Sequence, residues 1–193
     1  MKGSLLARVM AIQVLAVVPA LPAFAAPPEP DGYRMQEYRA PVPATLQGAR
    51  VVSTTEAADL WRNNGAIFVD VLPKPPKPDL PEGTVWREPP RLDIPRSVWL
   101  PDVGFGALSN EMEAWFHSNL ADLTGGDKAK PLVIYCKSEC WMSWNAGKRA
   151  IEWGYSAAIW YPEGTDGWAA AGLPLEERIS VPRPGEAPPD PLN

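Results

Sequence analysis

The two cysteines of this chain lie close together, in the segment Cys136-Lys137-Ser138-Glu139-Cys140-Trp141. Thiolates are nucleophiles, and two neighbouring thiols can also pair with each other in an oxidising compartment. A disulfide across so small a loop contributes little to folding entropy. The spacing therefore favours thiol chemistry, and a permanent disulfide that stiffens a binding loop is the alternative.

The position of Cys136 fits a ligand site of an α/β sheet. It follows an apolar run, residues 130–135, that predicts a buried strand, and a helix is predicted to begin about seven residues later, at Ser143 or Trp144. Open α/β sheets bind ligands at the carboxyl ends of their strands, and backbone N–H groups at a helix N-terminus stabilise a thiolate. Cys136 is therefore the predicted nucleophile.

The neighbours of Cys136 suggest how such a thiol would react. Lys137 adds positive charge, and Glu139 would oppose it if its side chain pointed inward. Cys140 could resolve a sulfane sulfur or a mixed disulfide on Cys136, provided that the two Cα atoms approach within about 7 Å. The predicted site comprises the catalytic residues Cys136 and Cys140 and the loop residues Lys137, Ser138, Glu139, Trp141, Met142 and Ser143.

The amino terminus has the order of a secretory signal peptide, predicted over residues 1–25. Lys2 and Arg8 precede an apolar stretch that ends in the small-x-small pattern of residues 23–25. Pro19 and Pro22 interrupt this stretch, which is shorter than the ~20 apolar residues of a membrane span. We therefore expect export, with no stable membrane insertion after cleavage.

The charge balance and the single histidine exclude further classes of function. The chain has 23 acidic and 18 basic residues, and this net charge of −5, without a basic cluster, argues against nucleic-acid partners. His117 falls on a predicted amphipathic helix, where surface or packing roles are commoner than metal ligation. Two cysteines and one distant histidine predict no metal site.

Strands and helices alternate along the chain. Ser53 and Glu56 form a capping-box pattern at the start of a helix. Strands are predicted at residues 49–52, 66–71, 97–100, 130–135 and 157–161, and helices at 53–63, 109–119, 144–154 and 165–171. This order predicts one α/β domain over residues 49–177, with a central parallel sheet and helices on both faces.

Three proline-bearing segments interrupt or flank this pattern. Residues 26–48 are predicted to be an irregular lead-in on the domain surface. Residues 73–101 contain nine prolines and predict a long surface loop with polyproline character. Residues 178–193 form a Pro-rich tail that is expected to be loose.

An ordered set of short motifs over residues 49–177 resembles the rhodanese family. The pieces are Ala66–Val71 with its terminal Asp-Val, Ile94-Pro-Arg-Ser-Val-Trp-Leu-Pro101, Val133-Ile-Tyr-Cys136, Trp153-Gly-Tyr155, Tyr161-Pro-Glu-Gly164, Gly167-Trp168 and Ala171-Gly-Leu-Pro174. The resemblance implies a rhodanese-like domain with Cys136 as its nucleophile and Asp70 as a supporting residue.

The segment from Tyr135 to Ala150 also looks like a periplasmic subfamily, the PQQ-dependent-catabolism-associated CXXCW-motif proteins. Here three residues separate the cysteines rather than two. This resemblance implies a periplasmic protein in the setting of alcohol oxidation that depends on pyrroloquinoline quinone. The implied partner is a PQQ-dependent dehydrogenase or its cytochrome c, and no cofactor is predicted for the chain itself.

Two departures from the family pattern change the expected chemistry. An active rhodanese usually has an arginine near the end of its loop, where this chain has Trp141 and Met142, and Leu72 replaces the arginine of the Asp-Val-Arg motif. Thiosulfate transfer is therefore disfavoured. We expect either sulfur transfer or thiol redox chemistry with a sulfur- or thiol-containing small molecule, or a non-catalytic accessory module for a periplasmic quinoprotein dehydrogenase or its cytochrome.

Overall fold

The computed structural model describes residues 26–76, 78–84 and 91–187. The predicted signal peptide, residues 1–25, lies outside these ranges, as do parts of the predicted proline-rich loop and tail. The elements are β1 (Arg50–Val51), α1 (Thr54–Arg62), β2 (Ile67–Asp70), β3 (Arg91–Asp93), β4 (Val98–Trp99), α2 (Asn110–Thr124), β5 (Leu132–Tyr135), α3 (Trp141–Glu152), β6 (Ala158–Tyr161), α4 (Gly164–Ala170) and β7 (Glu176–Arg178).

Five parallel strands form the central sheet, in the order β1-β6-β5-β2-β4. The three middle strands are largely buried, which explains why they are apolar runs rather than alternating ones. The predicted α/β class with a central parallel sheet is thus confirmed.

Helices cover both faces of this sheet. Along β2 and β5, alternate side chains point to opposite faces. Ile134 packs with Phe116 of α2 and Met142 of α3, whereas Tyr135 packs with Ala57 of α1 and Trp168 of α4. We call these the α2/α3 face and the α1/α4 face.

Helix α1 begins where the sequence predicted, whereas the end of α2 and the start of α3 differ from the prediction. Ser53 and Glu56 form the predicted capping box of α1. Helix α2 continues five residues beyond Asn119 to Thr124, because the αL residue that ends it is Gly125. Helix α3 begins at Trp141 and not at Ser143 or Trp144, because Cys140 is already its extended N-cap residue.

A second, two-stranded antiparallel sheet joins β3 to β7. We did not predict either strand, since the triplets Arg-Leu-Asp and Glu-Glu-Arg have no apolar alternation and depend on each other for pairing. The predicted loose tail also contacts the domain. Val181 donates its N–H to the carbonyl of Trp99 in the edge strand (3.0 Å), and Arg183 forms an ion pair with Asp102.

The start of α4 lies against the cysteine loop. Thr165 donates its backbone N–H to the Cys136 carbonyl at 3.0 Å. Gly164 has a φ of +52°, and a Cβ at this position would overlap the carbonyl group of Cys136 and lie 2.9 Å from the Cα atom of Lys137. Glycine is therefore required here for space as well as for conformation.

We predict that Gly164→Ala lowers the free energy of unfolding by about 3 kcal/mol or more, because backbone overlap adds to the left-handed strain. The matched control is Gly172→Ala, which has a φ of +68° and nothing within 4 Å of the added Cβ. This control is expected to cost about 1–2 kcal/mol. Urea unfolding followed by circular dichroism measures both, and equal losses would contradict the proposed overlap.

Candidate active site

Cys136 and Cys140 form a disulfide across the loop between β5 and α3. Their Cα atoms are 6.4 Å apart, inside the range that a disulfide allows. Cys136 directly follows β5, and Cys140 is the N-cap residue of α3. The loop therefore brings the two predicted thiols together at the carboxyl edge of the central sheet.

Both sulfur-bearing residues are buried, with exposures of 0% for Cys136 and 2% for Cys140. They belong to the apolar cluster of the α2/α3 face, together with Val71, Leu100 and Met142. A nucleophile needs access to its substrate, whereas the folded, oxidised protein shields both residues from solvent.

The N-terminus of α3 lies beside the sulfur pair. Helix α3 begins directly after Cys140, whose sulfur is bonded to that of Cys136, and the Cys140 side chain makes no cap hydrogen bond. A helix N-terminus favours negative charge, so it favours a thiolate in the reduced pair.

The three residues between the cysteines point away from the sulfurs. Ser138 donates hydrogen bonds from its N–H and Oγ to Asp166 (3.2 and 3.3 Å). Glu139 is exposed and has a φ of +50°, so its carboxylate does not oppose a thiolate from inside the loop. Lys137 is half-buried and lies on the side of α4.

The predicted loop residues Trp141, Met142 and Ser143 form the buried first turn of α3. Trp141 donates its indole N–H to the Pro41 carbonyl at 3.1 Å. Ser143 donates its hydroxyl to the Cys140 carbonyl at 3.2 Å and accepts the Trp160 indole N–H at 3.0 Å. These side chains position the loop, and none of them replaces the cation that is missing at its end.

The lead-in segment, which we call the strap (residues 33–41), crosses the cysteine loop and pairs with its backbone. Arg39 and Cys140 form an isolated antiparallel bridge. The contacts are the Ala40 N–H to the Glu139 carbonyl (3.1 Å), the Trp141 N–H to the Tyr38 carbonyl (2.9 Å) and the Arg39 guanidinium to the Ser138 carbonyl (2.8 Å). The surface lead-in expected from the sequence is thus a cover for the loop.

One buried amide fastens the strap to α3. The side chain of Asn145 accepts the Arg34 N–H and donates to the Arg34 carbonyl, both at 2.9 Å. It also donates to the Gly104 carbonyl at 2.8 Å. Both polar atoms of this amide are therefore satisfied by backbone from two segments distant in sequence, which explains why α3 tolerates a buried asparagine.

The ring of Tyr38 holds the strap against the domain beside the cysteine loop. It packs against the apolar cluster that contains the disulfide and meets Phe105 edge-on, with ring centroids 5.4 Å apart. Its hydroxyl donates to the Met35 carbonyl and accepts the Gly106 N–H, both at 2.9 Å.

Asp70, the predicted supporting residue, lies on the other face of the sheet in a buried cluster of charges. Arg91 forms an ion pair with Asp70 and lies 3.9 Å from a carboxylate oxygen of Asp93. Its Nη2 also donates to the Thr165 hydroxyl (3.3 Å), which in turn lies 3.3 Å from the Cys136 carbonyl. Asp70 thus supports the loop indirectly, through Arg91 and α4.

This cluster holds two carboxylates and one guanidinium. Burial raises the pKa of Asp70, the negative charge of Asp93 adds to the rise, and the positive charge of Arg91 opposes it. Sequence reasoning missed Arg91, which lies in the predicted proline-rich loop. The available signal was an aspartate at the end of a buried strand, which requires a cation or a proton.

Within the described ranges, no three His, Cys, Asp or Glu side chains converge as a metal site would require. In the same ranges, no helix has the length and apolar character needed to cross a membrane.

No protein-family model and no curated protein matches this chain. Among solved structures, the polysulfide-sulfur transferase homodimer from Wolinella succinogenes is 21% identical with a TM-score of 0.43, over 69% of this chain and 82% of that chain. An uncharacterised protein from Saccharomyces cerevisiae is 22% identical with a TM-score of 0.39, over 64% and 93%. Wild-type EanB is 18% identical with a TM-score of 0.44, over 74% of this chain and 34% of that chain. These similarities are distant, and the α/β assignment rests on the strand order and registers.

We predict that Tyr38→Ala accelerates reduction of the disulfide by dithiothreitol about tenfold, because losing this cover lowers the free energy of local opening by about 1.4 kcal/mol. Free thiols appearing with time, trapped with iodoacetamide, give the rate. Tyr33→Ala is the control, because Tyr33 lies on the same strap but stacks under Arg149. A Tyr38→Ala rate equal to that of wild type would mean that reductant reaches the sulfurs by another route.

Arg91 supplies the positive charge between the buried carboxylates of Asp70 and Asp93, so its replacement should destabilise the fold. We predict that Arg91→Met lowers the free energy of unfolding by about 3–5 kcal/mol at pH 7, because it leaves two buried carboxylates without a cation. The positive charge of Arg91 lowers the pKa of Asp70, so its removal raises that pKa further. The folded variant therefore binds more protons than folded wild type, and the loss of stability should shrink as the pH falls.

Urea unfolding at pH 7 and pH 5 tests this sign. Arg62→Met, which removes an exposed ion pair with Asp59, is the control and should change stability by less than about 1 kcal/mol at either pH. A loss for Arg91→Met that grows on acidification would contradict the assignment.

Proposed function

We propose that this chain is a rhodanese-like periplasmic protein whose Cys136–Cys140 pair alternates between a disulfide and two thiols during sulfur transfer or thiol exchange. The observation that supports this most directly is the disulfide at the carboxyl edge of the sheet, with Cys140 as the N-cap residue of α3. This edge is where α/β proteins bind their ligands, and the helix N-terminus favours a thiolate in the reduced pair.

The proposed reaction needs no cofactor. The Cys136 thiolate takes the outer sulfur of a persulfide or polysulfide, its S–S bond breaks, and the donor leaves as a thiolate. The Cys140 thiolate then attacks the inner sulfur of the Cys136 persulfide, which forms the disulfide and releases hydrosulfide. A dithiol reductant restores both thiols and is itself oxidised to a disulfide.

The charges around the loop favour a persulfide or polysulfide over thiosulfate as the donor. A dianion such as thiosulfate is held by guanidinium groups that can form paired hydrogen bonds with it. The end of the loop has the buried side chains of Trp141 and Met142, and Arg91 lies on the opposite face of the sheet. The guanidinium of Arg39, an exposed residue, donates to the Ser138 carbonyl and is engaged there. A persulfide or polysulfide reacts without such a clamp.

The proposed cellular setting rests on the sequence. The predicted signal peptide supports a periplasmic location, and the resemblance to PQQ-associated CXXCW-motif proteins supports a role beside PQQ-dependent alcohol oxidation. A PQQ-dependent dehydrogenase or its cytochrome c is the proposed partner, and a sulfur- or thiol-containing small molecule is the proposed substrate.

A second candidate is a non-catalytic accessory module that binds this dehydrogenase or cytochrome. Complete burial of the disulfide favours it, because a structural disulfide needs no access. Three large apolar side chains that are mostly exposed also favour a docking role: Met35 (57%), Leu92 (58%) and Ile179 (65%).

Intact-mass spectrometry after reduction and treatment with inorganic polysulfide tests the catalytic proposal. We expect Cys140→Ser to accumulate a persulfide on Cys136, ~32 Da heavier, because the resolving thiolate is missing. Cys136→Ser should not form this adduct at Cys140 to the same extent. Wild type should instead return to the disulfide and release hydrosulfide.

The two candidates predict different behaviour in cells. A pair that is always oxidised in the periplasm, together with normal alcohol-dependent growth of the Cys136→Ser strain, would refute the catalytic proposal. Co-purification of the dehydrogenase or its cytochrome with both wild type and that variant would then support the accessory role.

A further inference from the structure

A cavity of about 450 Å³ opens at the carboxyl edge of the central sheet, on the face away from the sulfurs. The side chain of Cys136 lies with Val71 on the α2/α3 face. The cavity is bounded instead by Arg91 and by Thr165 and Ala169 of α4, on the α1/α4 face. It is therefore separate from the disulfide, and none of the chemistry proposed above uses it.

Two cationic side chains line this cavity. Arg91 is only 8% exposed and is fixed by Asp70 and Thr165 through its Nε and Nη2 atoms, while its Nη1 makes no hydrogen bond to any described residue. Lys137 likewise has no ion-pair partner in the described part of the chain. The cavity thus combines a rigid hydrogen-bond donor with an ammonium group that is not neutralised by contact.

The one acidic residue in the lining is already engaged. Asp166 accepts the N–H and the hydroxyl of Ser138, at 3.2 and 3.3 Å, and so caps the cysteine loop rather than pairing with Lys137. Asp70 and Asp93, behind Arg91, outweigh the guanidinium charge. The neutral donors of Ser138 leave Asp166 charged. An anion is therefore held here by direct contact with Lys137 and the Nη1 of Arg91, and not by the net charge of the cavity.

The remaining walls are apolar. Trp99, Pro73 and Leu175 line the cavity, together with Leu92, which is 58% exposed. Cavities of about 300–1,000 Å³ with apolar walls and a few fixed polar groups are typical of small-molecule sites. Inorganic anions would use the cations and leave these walls without a contact.

We propose that this cavity binds a small organic carboxylate with a compact apolar body. Its carboxylate contacts Lys137 and Arg91, and its hydrocarbon part packs against Trp99 and Pro73. The ligand occupies the side of the loop opposite to the sulfurs, and its binding is independent of the redox state of Cys136 and Cys140.

Isothermal titration of the mature oxidised protein with benzoate tests the proposal. We expect saturable binding at one site, at least about tenfold weaker for benzyl alcohol, which lacks the charge, and for sulfate, which lacks the apolar body. Binding of sulfate as tight as that of benzoate would overturn the proposed ligand class, and so would the absence of saturation with benzoate.

Two variants locate the site. Lys137→Met should weaken benzoate at least about tenfold, whereas Lys130→Met, which removes an exposed lysine distant from the cavity, should not. Leu92→Asp places a negative charge at an exposed position of the lining and should weaken benzoate without disturbing the core. Unchanged affinity in both Lys137→Met and Leu92→Asp would overturn the assignment.

Cys140→Ser separates this inference from the proposed function. It should bind benzoate as wild type does, even though it cannot complete the sulfur relay. Loss of benzoate binding in Cys140→Ser would show that the cavity depends on the disulfide, and would overturn the proposed independence.

Discussion

The guanidinium group of Arg91 holds together the carboxyl edge of this molecule. It joins β3 to Asp70 at the end of β2, and through Thr165 it reaches the start of α4 and the carbonyl of Cys136. Because it is buried between two carboxylates, its removal would leave charge that the interior cannot solvate. The position of the cysteine loop relative to the sheet therefore depends on a residue that is distant from the loop in sequence.

The sulfurs and the buried charged groups lie on opposite faces of the sheet. Side-chain alternation at the end of β5 sends the sulfur of Cys136 to the α2/α3 face, while the charged groups Asp70 and Arg91 lie on the α1/α4 face. A loop with its own terminal arginine would put sulfur and cation in one pocket. Here Trp141 and Met142 occupy that place, so the sulfurs are surrounded by apolar groups and covered by the strap.

Much of the architecture could be predicted because it depends on patterns of residues that are close together in the sequence. The apolar runs around Phe68 and Val133 predicted the parallel strands, and the capping box at Ser53 predicted the start of α1. The pairing of β3 with β7, the role of Arg91 and the covering of the loop by the strap could not be predicted. Each depends on contacts between segments about 20 to 110 residues apart, for which no periodic pattern exists.

The strap has a consequence for the order in which the molecule assembles. Arg34 anchors the strap by a hydrogen bond to Asn145, which is 111 residues later in the chain. The strap is therefore synthesised before its anchoring partner, and we expect it to dock late in folding. Until it docks, the cysteine loop lacks the backbone hydrogen bonds that it makes with Tyr38 and Ala40, and the ring of Tyr38 does not yet pack against the cluster that contains the two sulfurs. We expect oxidants and reductants to reach the pair more readily in this interval than after the strap has docked.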